Sequence, residues 1–358
     1  MTILTVTHVE DSWTAKAVHE ALLREGAEVL SYEVDRIPAK IRMSVGNDSS
    51  GCVSHIEIDG RIVHADEITA VWHRRRNNAA PVTSVDLPDD MIQGILRESA
   101  ASFDTAISLL PCFHLDDPAA VERARNRPFQ LAVAAELGID VPRTLTTNNP
   151  VEAREFIKSC DGRVVAKMLS SFGVRGEDNR EKVVMTNRIE AEHLNQIESL
   201  SICPMTFQED IPKALELRIT VVGYEVFCAA VDSGLLAHGQ TDWRRAHDEL
   251  YRHWQPYDLP KQLRDNILRL LDRLQMNYGA IDVILTPEGR YVFLEVNPVG
   301  QFGWVQTSTH MPISNAIAGV LSGRLPRRVD IFPANFRTFS GVGSAALIGA
   351  NQEVSDVG

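Results

Sequence analysis

The stretch GAIDVILTPEGRYVFLEVNP, Gly279 to Pro298, constrains the fold more than any other part of the chain. Two apolar β-type runs flank Thr286-Pro287-Glu288-Gly289, a turn signal, and read together as a hairpin. Each run nevertheless carries a carboxylate, Asp282 in the first and Glu295 in the second, with Asn297 just beyond. An ionised carboxylate taken out of water needs a partner, so a cation is implied. Side chains alternate faces along a strand, which puts Tyr291, Phe293, Glu295 and Asn297 on one side and Val292, Leu294 and Val296 on the other. If Thr286 to Gly289 form the loop, Leu285 pairs with Arg290 and Asp282 lies opposite Phe293, on the side of Glu295. A register shifted by one separates them. In the first register two carboxylates and an amide oxygen converge at roughly 5 to 8 Å. Such an all-oxygen set suits Mg²⁺ and not zinc. A lone strand carboxylate is usually solvated on an open sheet face; three oxygen ligands on one face favour the metal.

The rest of the chain has the means to bury such a hairpin. At 358 residues and 44% hydrophobic it can form a large core divided into about two or three domains. A formal charge of −12 argues against a nonspecific nucleic-acid binder, and an anionic substrate would need local basic residues. The five cysteines, Cys52, Cys112, Cys160, Cys203 and Cys228, have no CxxC spacing, so neither a zinc site nor a disulfide framework is suggested. No run approaches a membrane span and the N-terminus has no secretory pattern, so a cytoplasmic, membrane-free protein is expected.

Along the chain, Thr2 to Thr7 reads as a strand, Ser12 as a cap, and Ala17, Val18, Leu22 and Leu23 as the inward stripe of a helix stopped by Gly26. Glu28 to Tyr32 resumes as a strand, an α/β opening with no GxGxxG at its first turn. His55 to Val63 is a hairpin turning at Asp59-Gly60. Thr69 to Trp72 is a strand running into His73-Arg74-Arg75-Arg76, and a helix spans about Asp90 to Leu110. Asp116 or Asp117 starts a short helix, and Phe129 to Leu137 forms another. Strands surround a glycine loop in GRVVAKMLSSFGVRG, followed by a helix from about Arg188 to Leu200, three strands within Phe207 to Ser233, and a helix from Pro260 to Met276. The expected division is residues 1–115, 116–200, 201–323 and a tail at 324–358, with no internal repeat.

Five further stretches have chemical meaning. Lys167 precedes the glycine loop and reads as an exposed strand lysine or as a phosphate cation, with backbone N–H groups of Ser171, Phe172 and Gly173 as further donors. No GxxxxGK[ST] sequence is present, so this is not a P-loop protein. Gln208-Glu209-Asp210-Ile211 has the character of a linker whose backbone can bond an adenine ring. Glu216 and Arg218 share one strand face, either as a cross-strand ion pair or as contacts to a ribose hydroxyl and a phosphate. Arg244 and Arg245, like His73 to Arg76, are solvated surface or an anion-binding patch.

In this order, Lys167 before a glycine loop, Gln208 to Ile211, Glu216-Leu217-Arg218, then Asp282, Glu295 and Asn297, the chain resembles the ATP-grasp superfamily over roughly residues 118 to 323. Within it the chain looks most like the RimK-like, microviridin-type (graspetide) peptide maturases, on VWHRRR (Val71 to Arg76), QEDIPKALELRITVVG (Gln208 to Gly223), TDWRR (Thr241 to Arg245) and LEVNPVGQFGWVQ (Leu294 to Gln306). The resemblance implies an α/β (α+β) ATP-grasp fold preceded by a pre-ATP-grasp α/β domain, and ATP and Mg²⁺ as cofactors. It also implies ω-ester or ω-amide rings made from Asp or Glu side chains of a ribosomal precursor peptide with an acidic core. Where such enzymes often carry a second phosphate-binding lysine, this chain has Asn126-Arg127-Pro128, with Arg127 as the substitute cation.

The resulting assignment makes Arg218 and Arg244 catalytic. Lys167, Ser171 to Gly173, Gln208 to Ile211, Glu216 and Arg127 bind nucleotide, Asp282, Glu295 and Asn297 hold metal, and Arg74, Arg75 and Arg245 bind peptide. A RimK-like ligase adding an amino acid, a nucleotide-binding regulator without turnover, and a homodimer remain open alternatives.

Overall fold

The computed structural model describes residues 1–8, 13–37, 40–48, 51–75, 87–169, 173–175, 181–183, 186–235 and 247–329. β1 (Thr2–Thr7) is buried along its whole length, as a central parallel strand covered on both faces must be. α1 (Trp13–Arg24) returns the chain to β2 (Glu28–Glu33), parallel to β1, with Gly26 at φ 76° ending the helix. Leu23, expected in the inward stripe, is 60% exposed, because the buried face runs through Thr14, Ala15, Val18, Ala21 and Leu22. The expected cap Ser12 lies outside the described residues. β3 (Ile41–Asp48), β4 (Gly51–Ile58) and β5 (Arg61–His64) form a separate antiparallel sheet. Its turn has φ of 51° at Asp59 and 79° at Gly60, the double positive φ of a type I′ turn. β6 (Ile68–His73), α2 (Asp89–Ser108) and β7 (Phe113–Leu115) complete the first sheet in the order β2-β1-β6-β7.

α3 (Pro118–Ala124) is capped by Asp117, whose side chain accepts from the N–H groups of Ala119 and Ala120. α4 (Arg127–Glu136) is capped by Asn126. Next come β8 (Thr144–Thr147), α5 (Pro150–Ser159), β9 (Val164–Lys167), the hairpin of β10 (Gly173–Arg175) and β11 (Glu181–Val183), β12 (Asn187–Arg188) and β13 (Met205–Glu209). The second main sheet runs β12-β9-β13-β8, antiparallel, and packs one face on α5 through Ala153, Ile157, Val164 and Phe207. No α-helix spans Arg188 to Leu200: Arg188 closes β12, and a 3-10 helix occupies His193–Ser201. The backbone N–H of Glu190 donates to His193 Nδ1 at 2.9 Å, the kind of local side-chain bond that competes with α-helix.

The third sheet, β16-β15-β14-β17-β18, carries the hairpin. It comprises β14 (Leu215–Val222), β15 (Glu225–Val231), β16 (Gln255–Pro256), β17 (Tyr278–Leu285) and β18 (Tyr291–Asn297). The short α6 (His247–Leu250) precedes β16. α7 (Lys261–Leu274) lies on this sheet through Leu263, Ile267, Leu270, Leu271 and Leu274, matching the sequence periodicity. α8 (Gly303–Thr309) and α9 (Ile313–Leu321) return to the first sheet, and Ile317 and Phe302 share a core with Ile3, Val18 and Trp72. Among the described residues no helix is long and apolar enough to cross a membrane.

Candidate functional site

The hairpin differs from expectation in a way that builds the site. Leu285 pairs with Tyr291 and Val283 with Phe293, one residue off the expected register. A bulge then intervenes, so Leu294 and Glu295 together oppose Asp282. Phe293 and Val296 face the core under α7, while Val292, Leu294 and Glu295 face the opposite side. The strict alternation that grouped Phe293 with Glu295 is therefore wrong, and the extra residue brings Asp282 and Glu295 onto one face all the same.

Charge is laid out along three neighbouring strands. Arg218 on β14 is directly opposite Asp282 on β17, and its Nη1 donates to Asp282 Oδ1 at 2.9 Å. Asp282 is opposite Glu295 on β18, whose Oε2 is 2.6 Å from Arg127 Nε. Arg127, at the start of α4, also donates to the Met168 carbonyl at 2.7 Å. Asn297 Oδ1 accepts from the Val299 N–H at 3.1 Å. Among the described residues no three His, Cys, Asp or Glu side chains gather as a metal cluster. The candidate ligands are thus two carboxylates with one oxygen each on an arginine, plus an amide oxygen. That set fits Mg²⁺, which is commonly held by one or two carboxylates together with phosphates and water.

Facing this row across a cleft is the open side of the second sheet. Lys167 Nζ donates to Gln208 Oε1 at 2.6 Å, and Gln208 Nε2 donates to Thr144 Oγ1 at 3.0 Å, which orients the buried amide. Gln208 and Glu209 are not a linker: they belong to β13, paired with Val165 and Val164 of β9. The connector starts at Asp210, whose carboxylate pairs with Arg188 at 2.7 Å, and Ile211 packs on Ile284 and Val292. Glu216 pairs with Lys213 at 3.0 Å along the chain rather than across strands. Lys167, Gln208, Leu294 and Glu295 form the common wall of two cavities. The one of about 60 Å³ takes in Glu209, Asp210, Ile211, Glu216 and Asp282. The other, about 400 Å³, is bounded by Arg127, Leu131, Thr144 and Thr206.

Arg74 and Arg75 end β6 at a third cavity of about 560 Å³, shared with His8, His73, Val299 and Gln301. Arg75 is exposed, but Arg74 is only 5% exposed and its Nη2 donates to Gln301 Oε1 at 2.5 Å. Gly173 is placed in β10 opposite Val183. Arg76, Ser171, Phe172, Arg244 and Arg245 lie outside the described residues.

Sequence reasoning passed over several residues here. Gln301 had only its place after Asn297-Pro298 as a signal, and Leu294 had none, because a bulge leaves no period. Asp116 was read only as a helix start. Its carboxylate accepts from Asn277 N, Asn277 Nδ2 and Tyr278 N at 2.8 to 2.9 Å, and burial pushes it up to about 7 against those bonds. His73 and His114 stack with ring nitrogens 2.9 Å apart. Because His114 Nε2 lies 3.2 Å from the Leu110 carbonyl, that nitrogen carries the proton in the neutral ring, and His73 Nε2 is the donor to His114 Nδ1.

Comparison with known proteins agrees with this geometry. Residues 2–122 match the family model described as the MvdD pre-ATP grasp domain. The macrocyclase MdnC of Microcystis aeruginosa MRC, solved bound to precursor peptide MdnA, is 37% identical, with 90% of this chain and 100% of that one covered and a TM-score of 0.81. The RiPP-associated ATP-grasp ligase of Chryseobacterium gregarium, solved with ADP and a leader and core peptide, is 34% identical over 92% of this chain and 99% of that one, with a TM-score of 0.87. The alpha-aminoadipate–LysW ligase LysX of Sulfurisphaera tokodaii is 22% identical over 228 residues, 63% of this chain and 77% of that protein. On the fold, the cleft and these likenesses, the chain belongs to the ATP-grasp ligases, in the group that includes the macrocyclase MdnC.

Proposed function

We propose that this chain is an ADP-forming peptide ligase that condenses Asp or Glu side-chain carboxylates of a ribosomally made precursor with hydroxyl or amine groups of the same peptide. The activated species is an acyl phosphate made at the expense of ATP, and displacement of phosphate closes an ω-ester or ω-amide ring. The observation that carries this reading is the row Arg218, Asp282, Glu295 and Arg127, whose two carboxylates line cavities shared with Lys167.

Each residue has a task fitted to its placement. Asp282, Glu295 and Asn297 would hold Mg²⁺, which would supply positive charge to offset phosphate. Lys167, which lines both cavities, and Arg127, which lines the larger, offset phosphate charge. Arg218, fixed on Asp282, directs its fork at the transferring group. Glu216, Asp210 and Ile211 line the small cavity, where Glu216 would meet a ribose hydroxyl and the connector backbone an adenine edge. Arg75, at the mouth of the third cavity, offers a cation to an acidic peptide in a protein whose net charge is −12.

The test is mass spectrometry of an acidic precursor peptide after incubation with the protein, ATP and Mg²⁺. Loss of one water mass per bond, with ADP formed in step, is the expected result. A gain equal to an added amino acid would assign intermolecular ligation instead, and a peptide unchanged while nucleotide stays bound would favour a regulator.

A further inference from the structure

We propose that Gln301 is a positioning residue that ties the cavity at Arg74 to Arg218, the partner of Asp282 in the wall of the nucleotide cleft; the inference rests on the nucleotide reading of that cleft. Gln301 is bonded at both of its oxygens. Its backbone carbonyl accepts from Arg218 Nη2 at 3.2 Å, and its side-chain Oε1 accepts from Arg74 Nη2 at 2.5 Å. The two arginines are held by different sheets, Arg218 within β14 and Arg74 just past the end of β6, and this one residue bridges them.

The orientation of Arg218 depends on few contacts. Its guanidinium is a rigid planar fork. Nη1 is held by Asp282, Nη2 by the Gln301 carbonyl, and the buried Nε has no partner among the described residues. The Gln301 carbonyl is therefore one of two points that set the fork. That carbonyl lies in a loop pressed against the arginine: a Cβ at Gly300 would collide with Ala280 and stand 2.9 Å from Arg218 Nη2. Tyr278 Oη donates to the Gly300 carbonyl at 2.6 Å and fixes one end of the loop. The Gln301 side chain fixes the other end, and its anchor is Arg74. Arg74 lines the cavity assigned to the acidic peptide. A ligand carboxylate that draws Arg74 toward itself thus changes the hold on Gln301 and, through its carbonyl, the aim of Arg218. The contacts from Arg74 through Gln301 to Arg218 exist without a ligand, so MgADP affinity in variants of Arg74 and Gln301 reports on the relay without any peptide.

The experiment is calorimetric titration of MgADP into the full chain, into Arg74→Met, Gln301→Met and the double variant, and into Gln301→Glu. Arg74→Met and Gln301→Met are each expected to weaken MgADP by about fivefold or more. The double variant is expected to lose no more than the weaker single variant, the non-additivity of residues acting through one contact. Gln301→Glu, which keeps an acceptor for Arg74, is expected to restore affinity, a rescue that a purely structural role would not give. Should Gln301→Met fail to fold, Gln301→Asn shortens the reach while keeping the amide and takes its place. Unchanged affinity in Arg74→Met, or losses that multiply in the double variant, would overturn the relay. Failure of the unaltered chain to bind MgADP would overturn the nucleotide reading and the relay with it, an outcome distinct from the other two.

Discussion

Arg218 and Asp282 occupy directly opposed positions in the ladder between β14 and β17, with 2.9 Å between Nη1 and Oδ1 and only 8% of the arginine side chain exposed. Removing one partner of such a pair leaves the other buried and uncompensated. Asp282→Ala is expected to lower unfolding stability by about 3 kcal/mol. Glu295→Gln, whose partner Arg127 is 35% exposed, is expected to cost under about 1 kcal/mol. Both variants should lose ATP-dependent ring formation. Denaturant titration beside the peptide assay separates the two effects, and wild-type turnover by Glu295→Gln would refute the metal assignment.

Lys167→Met leaves Gln208 Oε1 without its ammonium donor and takes a charge from the wall common to both cavities. A charge-assisted bond to phosphate lost in this way should raise the KM for ATP by about tenfold or more. Initial rates against ATP concentration check this, and an unaltered KM would remove Lys167 from the nucleotide site.

Peptide docking is best tested at Arg75. Charge reversal at the buried Arg74 would set a carboxylate against Gln301 Oε1 and disturb the fold, whereas Arg75 is exposed at the same cavity. Arg75→Glu is expected to weaken binding of an acidic precursor severalfold and leave MgADP affinity within error. Titrations of the two ligands give the answer, and equal loss of both would argue against a peptide contact there.

Asp116 makes stability depend on pH with a definite sign. Burial raises its carboxyl from 3.8 to about 7, so the folded protein holds this proton more tightly than the unfolded chain. The contribution is complete below 3.8 and is lost as pH rises through about 7. The thermal midpoint should therefore fall more steeply between about pH 4 and about pH 7 in the wild type than in Asp116→Asn. Asp116→Asn should also be less stable throughout, since its amide brings N–H groups toward the donors of Asn277 and Tyr278. A shallower slope in the wild type would mean that those donors outweigh burial.

Local chemistry was legible in the sequence wherever one residue type fixes one geometry. Asp59-Gly60 dictated its turn, the apolar period of Leu263 to Leu274 dictated α7, and the carboxylates singled out in the hairpin, Asp282 and Glu295, do line one cavity with Lys167. What stayed hidden depends on contacts distant in sequence. The bulge at Leu294 and Glu295 changes register without any residue that demands it. Gln208 and Glu209 look like a polar linker until Val164 and Val165 of β9 are alongside to pair with them. The partners of Gln301 lie 83 and 227 residues away.

The cores themselves divide the molecule into a frame and a flap. The first sheet shares one apolar core with β15, α8 and α9, and α3 and α4 share another with the hairpin and α7. The sheet bearing Lys167 has a small core of its own, built within residues Ala153 to Phe207. Asp282, Glu295, Arg127 and the cavity at Arg75 therefore sit on elements that pack into these two larger cores. Among the described residues the sheet bearing Lys167 contributes to neither of those cores, and Arg127 bridges to it, gripping Glu295 on one side and the Met168 carbonyl on the other.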